Sequence, residues 1–269
     1  MATDPAAPDD PAAFVPVEHV AGDIERGLLL ICDHASNAIP PVYGDLGLPA
    51  SQLERHIGYD IGCRALTRDL AARLGAPAVL STFTRLLIDP NRGEDDPTLI
   101  MRLSDGAIVP GNAKVDESER MLRLNSYYWP YHNAISSAID GALAAGIVPT
   151  ILSIHSFTPI WRGTPRPWHA GILWDTDPRY AVPLIERLRQ EPDLVVGDNE
   201  PYTGKLKNDT MYRHGSERGI AHALIEVRQD LIADAEGVDR WAGILHRAFE
   251  DLRSLPGLGE IEHFGSDTD

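Results

Sequence analysis

Two histidines follow apolar segments of strand length. His34 comes two residues after the run GLLLIC at residues 27–32, and His155 ends the run PTILSIH. Because sites in open α/β sheets are assembled at the carboxyl ends of strands, both positions suit a ligand. Two imidazoles and one carboxylate are a common ligand set for catalytic zinc and leave one coordination position open for water. Neither histidine belongs to an H-E-x-x-H motif, so each could equally hydrogen-bond its own loop.

Asp60 is the candidate for the carboxylate ligand. It lies where a helix is expected to begin, and an aspartate there more often caps the helix by accepting backbone N–H bonds. His56 lies one turn earlier and is a competing ligand. The third ligand of a metal site therefore stays open between Asp60 and His56.

Glu226 is the candidate general base. It lies in the segment AHALIEVRQDL, where side chains alternate as in a strand. Burial of a carboxylate disfavours its ionised form and raises its pKa, which suits a base that takes a proton from metal-bound water near neutral pH. The alternative is a buried ion pair with Arg228 or another arginine.

The segment TRLLIDPNR brings Arg85, Asp89, Asn91 and Arg92 to another strand end. An arginine fork beside an asparagine amide can bind a substrate carboxylate through two hydrogen bonds, whereas lysine offers only a point charge. A structural salt bridge to Asp89 is the alternative. Both roles remain open for this segment.

Composition excludes several other classes of protein. The chain has 269 residues and a formal net charge of -16, which repels nucleic acid and anionic membrane surfaces. The fingerprints of nucleoside-triphosphate, dinucleotide and serine-hydrolase sites are missing from the sequence. With two cysteines, no long apolar run and no export signal, we expect a cytoplasmic protein that acts on a small molecule.

Short apolar runs alternate with helix-like periodic segments. This pattern predicts one α/β domain, a three-layer αβα structure whose central mixed sheet is largely parallel. We expect strands at residues 27–32, 78–83, 86–88, 149–155, 170–174, 194–196 and 221–227. We expect helices within residues 53–74, over most of 116–145, and at 178–190 and 238–252. The loop at 89–112 could be a lid, and residues 1–14 and 264–269 are expected to be flexible.

Five segments in order resemble the N-formylglutamate amidohydrolase family. They are LLLICDHASNAIP, HIGYDIGCRALTRDLAARLGA, STFTRLLIDPNR, SIHSFTP and ALIEVRQDLI, and they span residues 27–252. The resemblance implies a zinc-dependent hydrolase with one zinc per chain and a zinc-exopeptidase-like (phosphorylase/hydrolase-like) fold, similar to zinc carboxypeptidases and aspartoacylase. It implies hydrolysis of an N-acyl amino acid, with N-formyl-L-glutamate giving formate and L-glutamate.

The resemblance also implies roles for individual residues. They are His34, Asp60 and His155 as metal ligands, Glu226 as general base, and Asn91 and Arg92 at the substrate carboxylate, with Arg85 or Arg213 assisting. Many zinc carboxypeptidase relatives have glutamate three residues after the first histidine, where this chain has Asn37. Three alternatives stay open: a zinc amidase for another N-acyl amino acid or a peptidoglycan fragment, a non-catalytic metal- or ligand-binding protein, and a cysteine hydrolase that uses Cys32.

Overall fold

Eleven strands lie within residues 14–268, the part of the chain that this computed structural model describes. In chain order they are β1 (Val17–Val20), β2 (Leu28–Cys32), β3 (Ala78–Ser81), β4 (Leu103–Ser104), β5 (Ala107–Ile108), β6 (Thr150–Phe157), β7 (Ile160–Trp161), β8 (Thr164–Pro165), β9 (Ala170–Leu173), β10 (Val196–Asp198) and β11 (His222–Arg228). The central sheet has the order β1-β3-β2-β6-β11-β9-β10. Strands β3, β2, β6 and β11 run parallel, whereas β1, β9 and β10 run the opposite way. The predicted mixed, largely parallel sheet is confirmed.

Helices cover both faces of this sheet. They are α1 (Ala50–Leu53), α2 (Cys63–Leu74), α3 (Glu117–Arg123), α4 (Trp129–Ala144), α5 (Pro178–Leu188), α6 (Thr210–His214) and α7 (Ala235–Leu252), with a π-helical segment at Leu124–Tyr128. Short 3-10 turns lie at Ile24–Arg26, Pro41–Tyr43, Pro110–Asn112, Ser216–Arg218 and Gln229–Leu231. Alternate residues of β2 face opposite layers: Leu28 and Leu30 pack with α2, α5 and α7, and Leu29 and Ile31 pack with α4. The predicted three-layer αβα architecture is confirmed.

Some details of the predicted elements are wrong. Residues 86–88 do not form a strand and are buried in a turn and the irregular segment after it. The sequence did not predict β1, which pairs with β3 at the edge of the sheet. The strand predicted at 194–196 begins two residues later, as β10. Helix α2 begins at Cys63 with Gly62 as its N-cap at a φ of +84°, so Asp60 does not cap it.

The loop at residues 89–112 is tied to the body of the protein. It contains the hairpin β4–β5, and the buried Asn112 side chain donates hydrogen bonds to the carbonyls of Leu86 and Met101, each at 2.7 Å. Its closure over substrate stays a prediction.

The two chain ends predicted to be flexible differ in how much of them the structure describes. At the C-terminal end, the Thr176 hydroxyl donates a hydrogen bond to the Gly265 carbonyl at 2.8 Å. Flexibility of residues 264–268 stays a prediction, whereas residues 1–13 lie outside the described part. Between residues 14 and 268, no helix combines the length and the apolar character needed to cross a membrane.

Candidate active site

Three buried side chains converge at the carboxyl ends of two neighbouring strands. His34 lies two residues beyond β2, His155 lies in β6, and Asp60 lies in the turn before α2. Asp60 Oδ2 is 2.8 Å from His155 Nδ1 and 3.3 Å from His34 Nδ1. The backbone N–H of Asp60 donates to the His34 carbonyl at 2.9 Å, which fixes the turn against the strand end. The three ligand atoms lie within 4.8 Å of one another, so the group could bind a metal ion.

Each histidine of this group is oriented by a further carboxylate. His155 Nε2 donates to Asp33 Oδ2 at 2.8 Å, and His34 Nε2 donates to Asp89 Oδ1 at 2.7 Å. Since both Nε2 atoms are engaged, both Nδ1 atoms face Asp60. Histidines that bind metals are commonly held in this way, by a carboxylate or carbonyl at the other ring nitrogen.

Asp33 is fixed by more than its bond to His155. Its carboxylate accepts hydrogen bonds from the hydroxyls of Tyr131 (3.0 Å), Ser153 (2.9 Å) and Thr210 (2.7 Å). Burial raises the pKa of Asp33, but the hydrogen bond and charge of His155 outweigh burial and hold the pKa well below its usual range. Sequence reasoning passed over this residue. The signal that could have found it is its place at a strand end, directly before His34.

The buried charges around the group do not balance. Among the described residues, Asp60 and Asp89 share one salt-bridged guanidinium, that of Arg85, which lies 2.7 Å from Asp89 Oδ2 and 3.5 Å from Asp60 Oδ1, whereas Asp33 forms a salt bridge with His155 alone. Burial raises the pKa of Asp60 and the pKa of Asp89. The positive charge of His34 near Asp60 and that of Arg85 near Asp89 nevertheless keep the two pKa values well below their usual range. Once a metal ion has displaced the protons of the two histidines, three carboxylates against the one guanidinium paired with them leave two negative charges. A divalent cation would balance them, so the residues present fit a metal ion.

The pKa of His155 is raised by its two carboxylate partners and not by burial. Burial itself lowers this pKa, and the hydrogen bonds to Asp33 and Asp60 then raise it well above its usual range. A proton and a metal ion bind the same Nδ1 lone pair, so metal binding would release the proton.

Glu226 lies in β11, directly opposite His155 of β6 in the parallel register. Its side chain is 7% exposed, and its Oε2 atom has no hydrogen-bond partner within the described residues. Burial raises the pKa of Glu226 to about 7, with His155 lowering it and Asp60 raising it to smaller extents. The alternative ion pair with Arg228 does not form, because Arg228 pairs with Asp230 at 2.8 Å. Glu226 therefore has the environment predicted for a general base.

A cavity of about 600 Å³ joins the metal-ligand group to the predicted substrate residues. Arg85, Asn91 and Arg92 all line it, as do the three metal-ligand candidates and Glu226. Arg85 is held by Asp89, as its alternative role predicted. The side-chain oxygen of Asn91 accepts from the backbone N–H of Thr210 at 3.2 Å, and Arg92 donates to the Asn91 carbonyl at 2.8 Å.

Two further candidates, Arg213 and His56, lie outside the group of converging ligands. Arg213 is not among the residues that line the cavity; its guanidinium lies over the ring of Trp129, 5.0 Å from the centroid. This placement does not support the expectation that Arg213 assists in binding the substrate carboxylate, since sequence position does not fix where a side chain points. His56 lines the cavity, but its Nε2 is 3.5 Å from Asp105, and it is not one of the three converging ligands.

The family model for N-formylglutamate amidohydrolase matches residues 26–233, most of the chain and all of the residues that build this site. The chain belongs to the N-formylglutamate amidohydrolase family. It is therefore a hydrolytic enzyme that acts on amides, and the family predicted from the sequence segments is confirmed.

Solved structures agree with this assignment. A gene product of Agrobacterium tumefaciens is 34% identical, with a TM-score of 0.84, and the match covers 90% of this chain and 96% of that one. An N-formylglutamate amidohydrolase from Ralstonia eutropha is 24% identical, with a TM-score of 0.68, over 89% of this chain and 99% of that one. At that identity the second match shows a shared fold. No protein of curated function matches the chain.

Proposed function

We propose that the protein is a zinc-dependent amidohydrolase that cleaves an N-acyl amino acid into a carboxylic acid and a free amino acid. N-formyl-L-glutamate is the first substrate to test, because the family carries its name. The observation that carries the proposal is the convergence of His34, Asp60 and His155 beside Glu226 in one cavity. A binding protein would have no need of a buried, unpaired carboxylate next to a metal-ligand group.

The ligand set favours zinc. Two imidazole nitrogens and one carboxylate oxygen are typical of catalytic zinc sites and leave room for water and substrate. Asp60 is the third ligand in this proposal, which is supported by its place in the converging group, to which His56 does not belong. A bound zinc ion would supply Lewis-acid chemistry, polarising the amide carbonyl and lowering the pKa of water.

Glu226 performs the proton transfers. Its carboxylate accepts a proton from the attacking water and then donates it to the nitrogen of the leaving amino acid. A pKa of about 7 suits both halves of this cycle, because the group is half ionised near neutral pH. The free Oε2 atom is available for the transfer, since none of the described residues hydrogen-bonds to it.

Asn91 and Arg92 bind the carboxylate of the amino acid. Arg92 lies in the cavity wall with a partly exposed side chain, and Asn91 is fixed beside it by the bond from Thr210. Arg85, held by Asp89 next to Asp60, stabilises the negative charge that develops on the carbonyl oxygen. We also propose a cytoplasmic location, supported by the two free cysteines, Cys32 and Cys63.

Elemental analysis of the purified protein tests the metal site. We expect about one zinc per chain in the wild type and in His56→Ala, the matched control, whose histidine lines the same cavity outside the ligand group. His155→Ala should lose both the zinc and the release of formate from N-formyl-L-glutamate. Equal zinc content in His155→Ala and the wild type would overturn the assigned site.

A further inference from the structure

Arg166 is a buried arginine at the edge of the active-site cavity. It directly follows strand β8, and only 9% of its surface is exposed. Its Nη1 donates to the carbonyl and to the hydroxyl of Thr158, at 3.3 and 3.2 Å, and within the described residues its guanidinium has no carboxylate partner. A buried charge without a counterion is unfavourable, so this group is suited to bind an anion.

Three aromatic rings hold the guanidinium in place. Its Cζ atom lies 4.9 Å from the ring centroid of Tyr202, 5.4 Å from that of Trp161 and 5.6 Å from that of Phe157. Cation–π contacts of this kind compensate part of the hydration that a buried cation loses. They fix the group without supplying an oxygen that accepts its N–H bonds.

The edge of the guanidinium formed by Nε and Nη2 is free. Both hydrogen bonds of the Arg166 guanidinium to described residues come from Nη1. Neither Nε nor Nη2 is among the fully buried polar atoms that lack a partner, so both are accessible to a ligand. An arginine edge with two parallel N–H donors binds a carboxylate through two hydrogen bonds.

The residues that hold Arg166 also form the wall of the cavity. Phe157, Thr158 and Tyr202 all line it. Phe157 lies two residues after His155 in β6, so the Cα atoms of these two residues are about 7 Å apart and their side chains lie on the same face of the strand. Arg166 therefore lies close to the metal-ligand group.

The environment of Tyr202 connects Arg166 with the proposed general base. Burial raises the pKa of Tyr202, the negative charge of Glu226 raises it further, and the positive charge of Arg166 lowers it. Both charged groups thus act on the same phenol. A substrate bound beside Glu226 is within the electrostatic range of Arg166.

Arg92 and Arg166 lie at the two ends of one segment of the cavity wall, residues 202–210. At the start of this segment, the ring of Tyr202 covers Arg166. At its end, the backbone N–H of Thr210 donates at 3.2 Å to the side chain of the residue that precedes Arg92. A substrate carboxylate bound at Arg92 therefore leaves Arg166 for a second anionic group.

We infer that Arg166 binds a second carboxylate of the substrate, while Arg92 binds the first. This inference rests on the proposed function and adds a specificity-determining residue to it. The second carboxylate belongs either to the side chain of an acidic amino acid or to the far end of a dicarboxylic acyl group. An N-acyl amino acid with one carboxylate leaves a buried guanidinium unpaired and is a poorer substrate.

Two matched pairs of substrates test the inference and locate the second carboxylate. N-formyl-L-glutamate is compared with N-formyl-L-glutamine, and N-succinyl-L-alanine with N-succinamoyl-L-alanine. Within each pair, the second compound has an uncharged amide in place of the carboxylate. For the zinc-loaded wild type, kcat/KM for the charged compound should exceed that for its amide by at least about tenfold in one of the two pairs.

Variants of Arg166 assign this preference to its guanidinium. Arg166→Gln should reduce the ratio of the two kcat/KM values at least about tenfold, and Arg166→Lys, which keeps the charge without the planar fork, should retain part of it. Arg162→Asn is the matched control, because Arg162 lies over the same Trp161 ring, 5.5 Å from its centroid, but is exposed. Asparagine tolerates the φ of +49° at this position, and the ratio should stay at the wild-type value.

Three results would overturn the inference. Equal efficiency of the wild type toward both compounds of each pair would do so and would leave the proposed amide hydrolysis intact. An unchanged ratio in Arg166→Gln, with both kcat/KM values lowered by the same factor, is what a purely structural role predicts; if this variant does not fold, the same criterion applies to Arg166→Lys. Failure of the zinc-loaded wild type to cleave any of the four compounds would overturn the proposed function as well.

Discussion

His155 donates its Nε2–H to Asp33 Oδ2 at 2.8 Å, and this bond directs Nδ1 of the same ring toward Asp60. The orientation of a proposed zinc ligand therefore depends on a carboxylate that does not itself face the ion. His34 and Asp89 form the corresponding pair at 2.7 Å. Both proposed histidine ligands present the same ring nitrogen because each is held in the same way.

Asp33→Asn should weaken zinc binding by about 10–100-fold. The uncharged amide of asparagine no longer holds the ring proton of His155 at Nε2. In part of the molecules Nδ1 then carries the proton and cannot bind zinc. Competition with a zinc chelator measures the dissociation constant. Ser153→Ala is the control, because it removes one hydrogen bond to Asp33 and leaves the carboxylate in place. An unchanged zinc affinity in folded Asp33→Asn protein would contradict the role given to this pair.

Glu226→Gln should retain zinc and lose about 10²–10⁴-fold in kcat, since glutamine has the shape of glutamate but cannot accept the proton from water. Zinc content and steady-state kinetics on one N-acyl amino acid provide the measurement. Turnover near the wild-type value in a zinc-loaded Glu226→Gln protein would contradict the assignment of the base.

The pH dependence of kcat/KM should report the ionisation of Glu226. Glu226 must be ionised to accept a proton, and burial raises its pKa to about 7, so kcat/KM should fall as the pH is lowered through that value. Well below the pKa the decrease is about tenfold per pH unit. The residual activity of Glu226→Gln should lack this acid limb. An identical limb in both proteins would assign it to another group.

Arg92→Ala should raise KM strongly for N-acyl amino acids and leave KM unchanged for amides that lack the carboxylate. The matched control is Arg213→Ala, because Arg213 packs on Trp129 and does not line the cavity. Its KM should stay within about twofold of the wild-type value, as expected for a residue remote from substrate. Equal effects of Arg92→Ala on both kinds of substrate would contradict the proposed carboxylate site.

Asp209→Asn should stabilise the protein increasingly as the pH rises. Asp209 is buried at the N-terminus of α6, where it accepts from the Tyr212 N–H at 2.7 Å, and burial raises its pKa from 3.8 to about 7. A raised pKa gives stability that is full below about pH 4 and is lost as the pH rises through 7, because the buried group must then ionise. Asparagine keeps the cap without the charge.

Urea unfolding at pH 5 and pH 8 measures this effect. The gain of Asp209→Asn over the wild type should grow between the two pH values by up to a few kcal/mol. Asp116→Asn is the control, since Asp116 caps α3 at an exposed position, and its effect should be nearly independent of pH. A gain from Asp209→Asn that is equal at both pH values would refute the raised pKa.

The strands with strong apolar runs were predictable from the sequence. Strand β1 was not, because its formation depends on pairing with β3. β2, β6 and β11 are continuous buried segments, so their positions and the residues at their ends were predictable. β1 is short and only partly buried, and its pairing with β3 is what makes it a strand. Residues 86–88 are equally apolar but have no strand to pair with, so they are buried in a turn.

The residue types of the candidate site were predictable from the sequence, but the hydrogen bonds between these residues were less so. His34, His155 and Glu226 stand at predicted strand ends or within a predicted strand, and parallel pairing brings them together. The role of Asp33 depends on a hydrogen bond across two strands, which no local pattern reports. The position of Arg213 outside the cavity was not predictable, because the direction of a side chain on α6 depends on packing against α4.

Titration of the metal-free protein with zinc, while amino acid release is followed, tests the central claim most directly. We predict that amidase activity is absent at the start, rises linearly with added zinc and reaches its plateau at one zinc per chain. His155→Ala, titrated in parallel, should stay inactive throughout. Full activity in the metal-free protein, or a plateau reached equally by His155→Ala, would contradict a zinc-dependent reaction at the His34–Asp60–His155 group.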